Sequence, residues 1–390
     1  LPFADLMISL TDNPVGNEIR LNYLIEINEP DETIAETDLE STALIVYTAG
    51  ATGDPSGAEL THKNIITNVN ALKSFLRIGP EERVLGPLPL YHPLGHTVTL
   101  STFLAAGSSV IIDTSMEPEH VFQMIKKATP SFLVSVPSMI RKMTSISDYS
   151  AQDLQSLKYV IVSGEAMEKD VKETFEFTYG VPVLEGYGLT EAAPMVSLNR
   201  PTERREAGSI GLPLPGVEMK IVNDEGEQVR SGEIGELLVK GDNIMKGYLN
   251  RPKATERVMD QGWFHTGDLA RLHESGYASI VVRKKNVIIK SGFNVYPREV
   301  EKVLEVHPKI DAVVIIGLPD AHMGEEVYAS VSLKKGEQAT EEEIISYAKE
   351  RMAAYKCPKS ILFTDTIPRG PNGRILRKEI KHMFEEYKNH

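Results

Sequence analysis

The chain has 390 residues, 41% hydrophobic and 25% charged, a globular composition in a length that ordinarily divides into two or more domains. With 42 Lys and Arg against 55 Asp and Glu the formal charge is −13, which argues against a nucleic-acid partner and leaves only local basic patches for small anions. One cysteine, Cys357, excludes an intrachain disulfide and fits a reducing cytoplasm.

Residues 1–40 alternate short apolar pieces with acidic ones. They read as a fragment of structure followed by an exposed acidic linker. The opening residues lack the basic start and apolar run of a secretory signal. No run reaches the length of a membrane helix, so membrane contact is expected to be peripheral at most. From residue 42 the pattern is regular. "TALIVYT" (42–48) reads as a buried strand, "THKNIITNVNALKSFL" (61–76) as a helix and "RVLGPLPL" (83–90) as a strand. "TVTLSTFLAAG" (97–107) reads as a helix closed by Gly107, and "SSVIID" (108–113) as a strand. "EPEHVFQMIKKA" (117–128) is an amphipathic helix with Val121, Met124 and Ile125 on one face, and the alternation runs on to "VPVLEGYG" (181–188). Strands alternating with helices predict a mostly parallel sheet covered on both faces. Past residue 205, "GVEMKIVND", "GELLVKG" and "ASIVVRKKNVII" are short strands between turns, which predicts a small antiparallel β subdomain over 205–282. After about residue 286, "PREVEKVLEVH", "DAVVIIGL", "EVYASVSLKK", "TEEEIISYAKERMAAY" and "SILFTD" predict a compact α+β domain. The expected class is α/β: a large N-terminal domain over 1–282, a hinge at 283–286, and a C-terminal domain over 287–390.

Five stretches carry candidate chemistry. "YTAGATGDPSGAELTHKN" (47–64) reads as strand, glycine-rich loop and helix. Thr48, Gly50, Thr52, Gly53 and Gly57 supply hydroxyls and permissive backbone, and the helix after Thr61 supplies a positive dipole end. That suits a phosphate, or is only a turn. The Walker ending is absent, with Ser56 between Pro55 and Gly57. "EGYGLTEA" (185–192) offers the flat face of Tyr187, the Thr190 hydroxyl and the Glu191 carboxylate, a hard oxygen suited to Mg²⁺, or else an ordinary polar helix start. "GWFHTGDLA" (262–270) places Asp268 in a tight turn, able to accept two ribose hydroxyls or simply bonded to its own backbone. "VVRKKNVIIKSGFNVYPREVE" (281–301) carries Arg283, suited to ribose or phosphate, on what could equally be a solvated basic edge. "IPRGPNGRILRKEI" (367–380) is a glycine-containing loop or polar tail bearing Arg374. His92, in "LPLYHPLGH", lies between a strand and a helix, where a lone histidine is more often structural than catalytic. No hydrolase elbow and no zinc spacing is present.

In this order the motifs resemble the AMP-forming acyl-CoA synthetases, the adenylate-forming enzymes that include luciferases and peptide-synthetase adenylation domains. Residues 47–64 are similar to the family's phosphate loop. "EGYGLTEA", "GELLVKGDNIMKGYLNRPKATE", "WFHTGDLA", "SGFNVYPREVE" and "PRGPNGRILRKE" resemble its later motifs. The resemblance covers nearly the whole chain from about residue 42. It implies two steps. A carboxylate attacks the α-phosphate of ATP to give acyl-AMP and pyrophosphate. A mobile C-terminal domain then rotates, and the thiol of coenzyme A attacks the adenylate. It implies that the loop, Ser56 included, holds the β and γ phosphates and that Gly186, Tyr187 and Gly188 flank adenine. Thr190 would contact phosphate, Glu191 would hold Mg²⁺, and Asp268 and Arg283 would bind ribose. Lys285 matches the hinge and His92 the border of the acyl channel. Lys290, Ser291 and Gly292 would meet coenzyme A. "LPLYHPLGH" and "SGFNVYPREVEKVL" most resemble bacterial-type fatty acyl-CoA ligases, which implies a medium- or long-chain fatty acid.

The chain also departs from the family. Ser56 and Arg374 stand where the family has a phosphate-loop lysine and a catalytic lysine. Asp54 and Glu59 add negative charge near the loop, Val282 replaces a usual Asp or Gly, and Glu165 replaces a small residue near the acyl site. The family's early subdomain has no counterpart before residue 1. Three readings follow: an active synthetase, an acyl-AMP ligase feeding a carrier protein, or a relative that binds nucleotide or acyl ligand without catalysis.

Overall fold

The computed structural model describes residues 7–9, 18–29, 33, 36–48, 56–113, 115–201, 205–206, 208–320, 322–370 and 375–388. The chain divides into Leu1–Ser41 and Thr42–His390. In the first unit a parallel pair, Met7–Ser9 with Glu18–Arg20, is followed by the helix Leu21–Ile27. The acidic stretch at 36–40 is exposed, as its composition implies.

In the second unit a seven-stranded sheet runs in the order Leu212–Pro213, Met195–Leu198, Val183–Gly188, Tyr159–Val162, Phe132–Ser135, Arg83–Gly86, Ser109–Ile112. The five strands from Val183–Gly188 to Ser109–Ile112 are parallel. The other two join antiparallel. Successive strand residues point to opposite faces. Val84, Phe132, Val134, Ile161 and Leu184 accordingly enter one apolar cluster, and Leu85, Leu133, Val160, Val162 and Val183 the other. The first face is covered by Leu72 and Leu76 of the helix His62–Leu76 and by Val98 and Phe103. The second is covered by the helices Pro118–Ala128, Pro137–Thr144 and Lys169–Tyr179. Each fully buried side chain of this size contributes about 1.5–3 kcal/mol, so both helical layers are held firmly.

Two local differences from the sequence reading have physical causes. The helix expected at 97–107 begins at Leu94 and is π-helical through Ser101. The Ser101 and Thr102 hydroxyls donate to the carbonyls of His96 and Thr97, five residues back, at 2.9 and 2.8 Å, in step with a π-helical ladder. The glycine-rich loop does not run into a helix. Thr42–Thr48 is followed across the loop by an antiparallel strand, Ser56–Thr61, with Thr48 opposite Ser56, and the helix starts only at His62. Six strand residues span about 20 Å, so the helix end is carried away from the loop. Its first turn is capped internally, Thr61 Oγ1 accepting from Asn64 N–H.

The β region is a five-stranded antiparallel sheet of Val217–Val222, Ile234–Gly241, Trp263–Leu272, Met259–Asp260 and Ala278–Arg283. After Arg283 only the turn Lys284–Asn286 and Val287 intervene before the next strand, Ile288–Lys290. That strand opens an α+β region with Phe293–Val295, Ile310–Asp320, Gly324–Leu333 and Ser360–Phe363. The helices Pro297–Glu305, Glu341–Lys349 and Arg377–Lys388 pack on it. It carries its own apolar clusters, one including Cys357 and the other Phe384.

Candidate active site

The strand Val183–Gly188 leaves the sheet at its carboxyl end, where ligands of open α/β sheets gather. Its two glycines are required by packing. A Cβ at Gly186 would lie 2.5 Å from Met195 Cε, and one at Gly188 would lie 2.5 Å from the Pro194 carbonyl oxygen. Only glycine lets the neighbouring strand approach. Between them, Tyr187 is buried and its hydroxyl donates to Asp268 Oδ2 at 2.6 Å. Burial first, and then the Asp268 carboxylate, push the phenol well above its ordinary pKa, so it remains a donor.

Asp268 is not in a tight turn. It sits within the strand Trp263–Leu272, after Gly267 at φ 69°, and pairs in register with Arg283. Arg283 Nε lies 2.9 Å from Asp268 Oδ1. The carboxylate is thus held at both oxygens while retaining spare acceptor positions.

Glu191 lies in the turn Thr190–Ala192. Tyr248 Oη donates to Glu191 Oε1 at 2.9 Å, and Thr48 Oγ1 reaches the same oxygen at 3.5 Å. Tyr248 arrives on the short strand Gly247–Tyr248, which pairs with Ser56–Thr61. Burial and then Glu191 raise its pKa, so this hydroxyl also stays protonated. Tyr187 lies at the end of the strand that leads through Leu189 into the Thr190–Ala192 turn, so the Asp268 pair and the Glu191 pair lie at the same end of the sheet.

At the near end of the loop, Ser56 is buried and its Oγ accepts from Arg251 Nη1 at 3.4 Å. Gly57 follows in the same strand. Glu59 turns its carboxylate to the Thr42 hydroxyl, which donates to Oε2 at 2.8 Å. Gly50, Thr52, Gly53, Asp54 and Arg374 lie outside the described residues. His92 is solvent-accessible, and its Nδ1 accepts from Leu94 N–H at 3.3 Å. The protein around it lowers the imidazole pKa by desolvation, favouring the neutral ring. Glu165 is half-buried just after Gly164.

At the join, Lys285 is exposed while Lys284 bridges Asp224 and Glu236 at 3.0 and 3.3 Å. Ser291 and Gly292, both at positive φ, make the hairpin turn after Lys290. Lys290 pairs with Glu326 and, with Asp320, His322, Lys349 and Lys359, lines an open cleft.

Four residues here were not singled out from the sequence. Tyr248 and Arg251 lie in a motif that carried no assigned role. Lys172 and Glu185 form an ion pair at 2.6 Å with both side chains buried. Their signal was legible, because Lys172 shares the apolar stripe of Phe175 and Tyr179 on its helix. Among the described residues no cluster of three or more His, Cys, Asp or Glu side chains forms a metal cage, and no helix is long and apolar enough to cross a membrane.

Residues 5–249 match the AMP-binding enzyme family, and residues 299–374 match the AMP-binding enzyme C-terminal domain. The chain belongs to the AMP-binding enzyme family. This AMP-binding enzyme chain is 37% identical over 362 residues to a long-chain-fatty-acid–CoA ligase of Bacillus subtilis (strain 168), covering 92% of this chain and 64% of that protein. It is 35% identical over 348 residues to a feruloyl-CoA synthase of an Amycolatopsis species, covering 89% of this chain and 70% of that one. The fold matches ATP-bound MatB from Rhodopseudomonas palustris at a TM-score of 0.86 and 30% identity, over 90% of this chain and 70% of that structure. The chain therefore spans less than two thirds of the length of the Bacillus relative.

Proposed function

We propose that this AMP-binding enzyme activates a carboxylic acid with ATP to give acyl-AMP and pyrophosphate, then passes the acyl group to coenzyme A. The observation that carries this reading is the convergence of Glu191, held by Tyr248 and Thr48, with Asp268, held by Tyr187 and Arg283. In this reading one carboxylate would take a cation beside phosphates, and the other a ribose.

In this reading Asp268 accepts the ribose hydroxyls, and Arg283, 2.9 Å away, holds it oriented. Gly186, Tyr187 and Gly188 border the adenine, and Thr190 donates to phosphate. Glu191 fits Mg²⁺, which takes one or two carboxylates alongside phosphate oxygens and water, and Tyr248 fixes the carboxylate rotamer. Bound there, Mg²⁺ would neutralise charge on the phosphates. Arg374 would bridge the attacking carboxylate and the α-phosphate, its planar fork supplying charge in a geometry unlike that of lysine. In the first step an acid oxygen bonds to the α-phosphorus and the bond to the bridging oxygen breaks, releasing pyrophosphate. The C-terminal domain, 287–390, then turns about 283–286 with Lys285 at the hinge. The Ser291–Gly292 turn, with little side-chain bulk, would admit the pantetheine arm, and the lysines near Lys290 would face the nucleotide phosphates of coenzyme A. The thiol displaces AMP from the acyl carbon.

The likeness to a long-chain-fatty-acid–CoA ligase supports a medium- or long-chain fatty acid, and the family resemblance would set His92 at the border of the acyl channel. A likeness of nearly equal identity to feruloyl-CoA synthase supports an aryl acid as the second reading. Pyrophosphate release is measured with fatty acids from short to long and with aryl acids. Acid-dependent release, followed by acyl-CoA when coenzyme A is added, is the expected result. Calorimetric binding of ATP with no pyrophosphate from any acid would refute the enzyme reading. Adenylate that coenzyme A does not discharge would turn it toward a carrier-protein acceptor.

A further inference from the structure

The four apolar clusters of the described residues divide at the join. Two draw on residues before Arg283 and two on residues from Ile288 onward. Apolar burial holds each region together without fixing one against the other. Charges span the division instead. Arg298, in the first turn of the helix Pro297–Glu305, places Nη2 3.8 Å from Oε1 of Glu168, the N-cap residue of the helix Lys169–Tyr179. Beside it, Glu299 Oε1 lies 3.6 Å from Arg271 Nη2, on the strand Trp263–Leu272. The same helix thus offers a cation to one pair and an anion to the other. The Arg298 fork is divided: Nη2 faces Glu168, while Nη1 faces Glu301 and Glu305 of its own helix. Glu168 is also bonded by Arg141, and the buried Glu301 takes Arg377 Nη2, from the last helix, at 2.9 Å. The result is an alternating row, Arg141–Glu168–Arg298–Glu301–Arg377, that begins in the large domain and ends in the C-terminal helix.

We propose that Arg298 and Arg271 are positioning residues: with Glu168 and Glu299 they latch the C-terminal domain in the orientation that forms acyl-AMP, and both pairs part when the domain turns. The proposal rests on the acid-activation reading. In that reading the Ser291–Gly292 hairpin meets coenzyme A only after the turn. Here Ile289 and Phe293 of the hairpin are exposed, and Ser291 N–H donates to the Met323 carbonyl of its own domain at 2.7 Å. An exposed hairpin marks the orientation that precedes the turn. Ion pairs suit a joint that has to open, because water re-solvates the separated charges, whereas separated apolar faces are left exposed. The row also limits the cost of opening. Glu168 keeps Arg141, and Arg298 keeps Glu301 and Glu305, so neither side is left with an uncompensated charge. A contact made in one orientation alone raises the population of that orientation, and its removal favours the turned one.

The test reads the two steps apart on the full chain, in the wild type, Arg298→Gln, Arg298→Lys, Arg271→Gln and the double variant Arg298→Gln with Arg271→Gln. The first step is followed as acid-dependent pyrophosphate release without coenzyme A, and the second as acyl-CoA formed from supplied acyl-AMP. Each Gln variant should slow the first step roughly threefold, and the double variant roughly tenfold, with the second step no slower than in the wild type. Arg298→Lys should recover part of the loss, and about 0.5 M salt should narrow the difference between wild type and double variant. Melting curves report folding, and Arg271→Gln serves if Arg298→Gln does not fold. Amide hydrogen exchange reads the contact without chemistry, and should quicken at 168–172 and 297–305 in the Gln variants. An unchanged first step in the double variant would overturn the latch, as would equal slowing of both steps, while leaving acid activation standing. A wild type that forms no acyl-AMP from any acid would overturn the acid-activation reading. Unchanged exchange in the double variant would overturn the latch in either case.

Discussion

Lys172→Met tests whether the strand that presents Tyr187 depends on a buried charge. Lys172 and Glu185 are 2.6 Å apart, with side-chain exposures of 4% and 8%. At an effective dielectric constant of about 20 the gross attraction is roughly 6 kcal/mol, and desolvation of two ions offsets most of it. Removing the lysine leaves Glu185 with the Gly208 N–H, 3.2 Å away, as a remaining donor. Breaking one side of such a pair costs about 3–5 kcal/mol, and the surviving donor favours the lower end. With an unfolding entropy of about 2.1 cal/mol/K per residue over 390 residues, about 3 kcal/mol lowers Tm by roughly 4 °C. The pH dependence gives a second readout. Burial already raises the Glu185 pKa, opposed by Lys172. Lys172→Met raises it further. A carboxyl whose folded pKa lies above its unfolded value contributes stability at low pH and loses it as pH rises through the folded value. The deficit against wild type should be largest near neutral pH and shrink as Glu185 takes up a proton. Adding Glu185→Gln should recover most of it at neutral pH. Urea midpoints and melting curves across this range check the reasoning. A deficit below about 1 kcal/mol, or one independent of pH, would refute it.

Tyr248→Phe removes the hydroxyl that fixes Glu191, and should lower the rate of pyrophosphate formation at limiting MgATP by roughly ten- to a hundredfold while raising the Mg²⁺ concentration needed; an unchanged Mg²⁺ dependence would detach Tyr248 from the site. Arg374→Lys together with Ser56→Lys should increase adenylation, read as acid-dependent pyrophosphate release; no gain would place any limitation elsewhere, Glu165 being the first alternative. The Asp153 carboxyl, held by Lys126 at 2.8 Å and by Ser150 N–H, titrates at about 2 rather than 3.8. Because that folded value is depressed, its contribution is present above the unfolded value and lost as pH falls through the folded one. Asp153→Asn should therefore flatten the urea midpoint between about pH 4 and about pH 2, and an unchanged slope would exclude this carboxyl from the acid limb.

The parallel sheet was legible because its strands are continuous apolar runs, largely buried except in the edge strand Ser109–Ile112, between helices whose apolar positions recur at helical spacing. The same logic recovered the antiparallel region and the C-terminal domain. The strand Ser56–Thr61 was not legible. "SGAELT" has little intrinsic strand preference, and it is extended because Thr42–Thr48 and Gly247–Tyr248 pair with its two edges. One of those partners lies nearly two hundred residues away, which local pattern does not register. The π-helical start at Leu94 was hidden for a related reason, since Ser101 and Thr102 bond backward by five residues in a stretch whose apolar spacing reads as ordinary helix.

That missed strand decides how the site is built. With a helix expected after the loop, phosphate binding was assigned to a dipole end. With a strand in its place, the dipole is removed and a sheet edge is gained, and that edge recruits Tyr248 and Arg251. Motif reading singled out Glu191, Asp268 and Arg283 because their chemistry is explicit in the side chain. It did not find the residues that orient them, because Tyr248 acts on Glu191 and Arg251 on Ser56 only through strand register. A substitution such as Ser56 for lysine therefore has to be judged with its neighbour across the sheet. Beside the neutral Ser56 stands the Arg251 guanidinium, carried on the adjoining strand by the turn that Thr255 clamps.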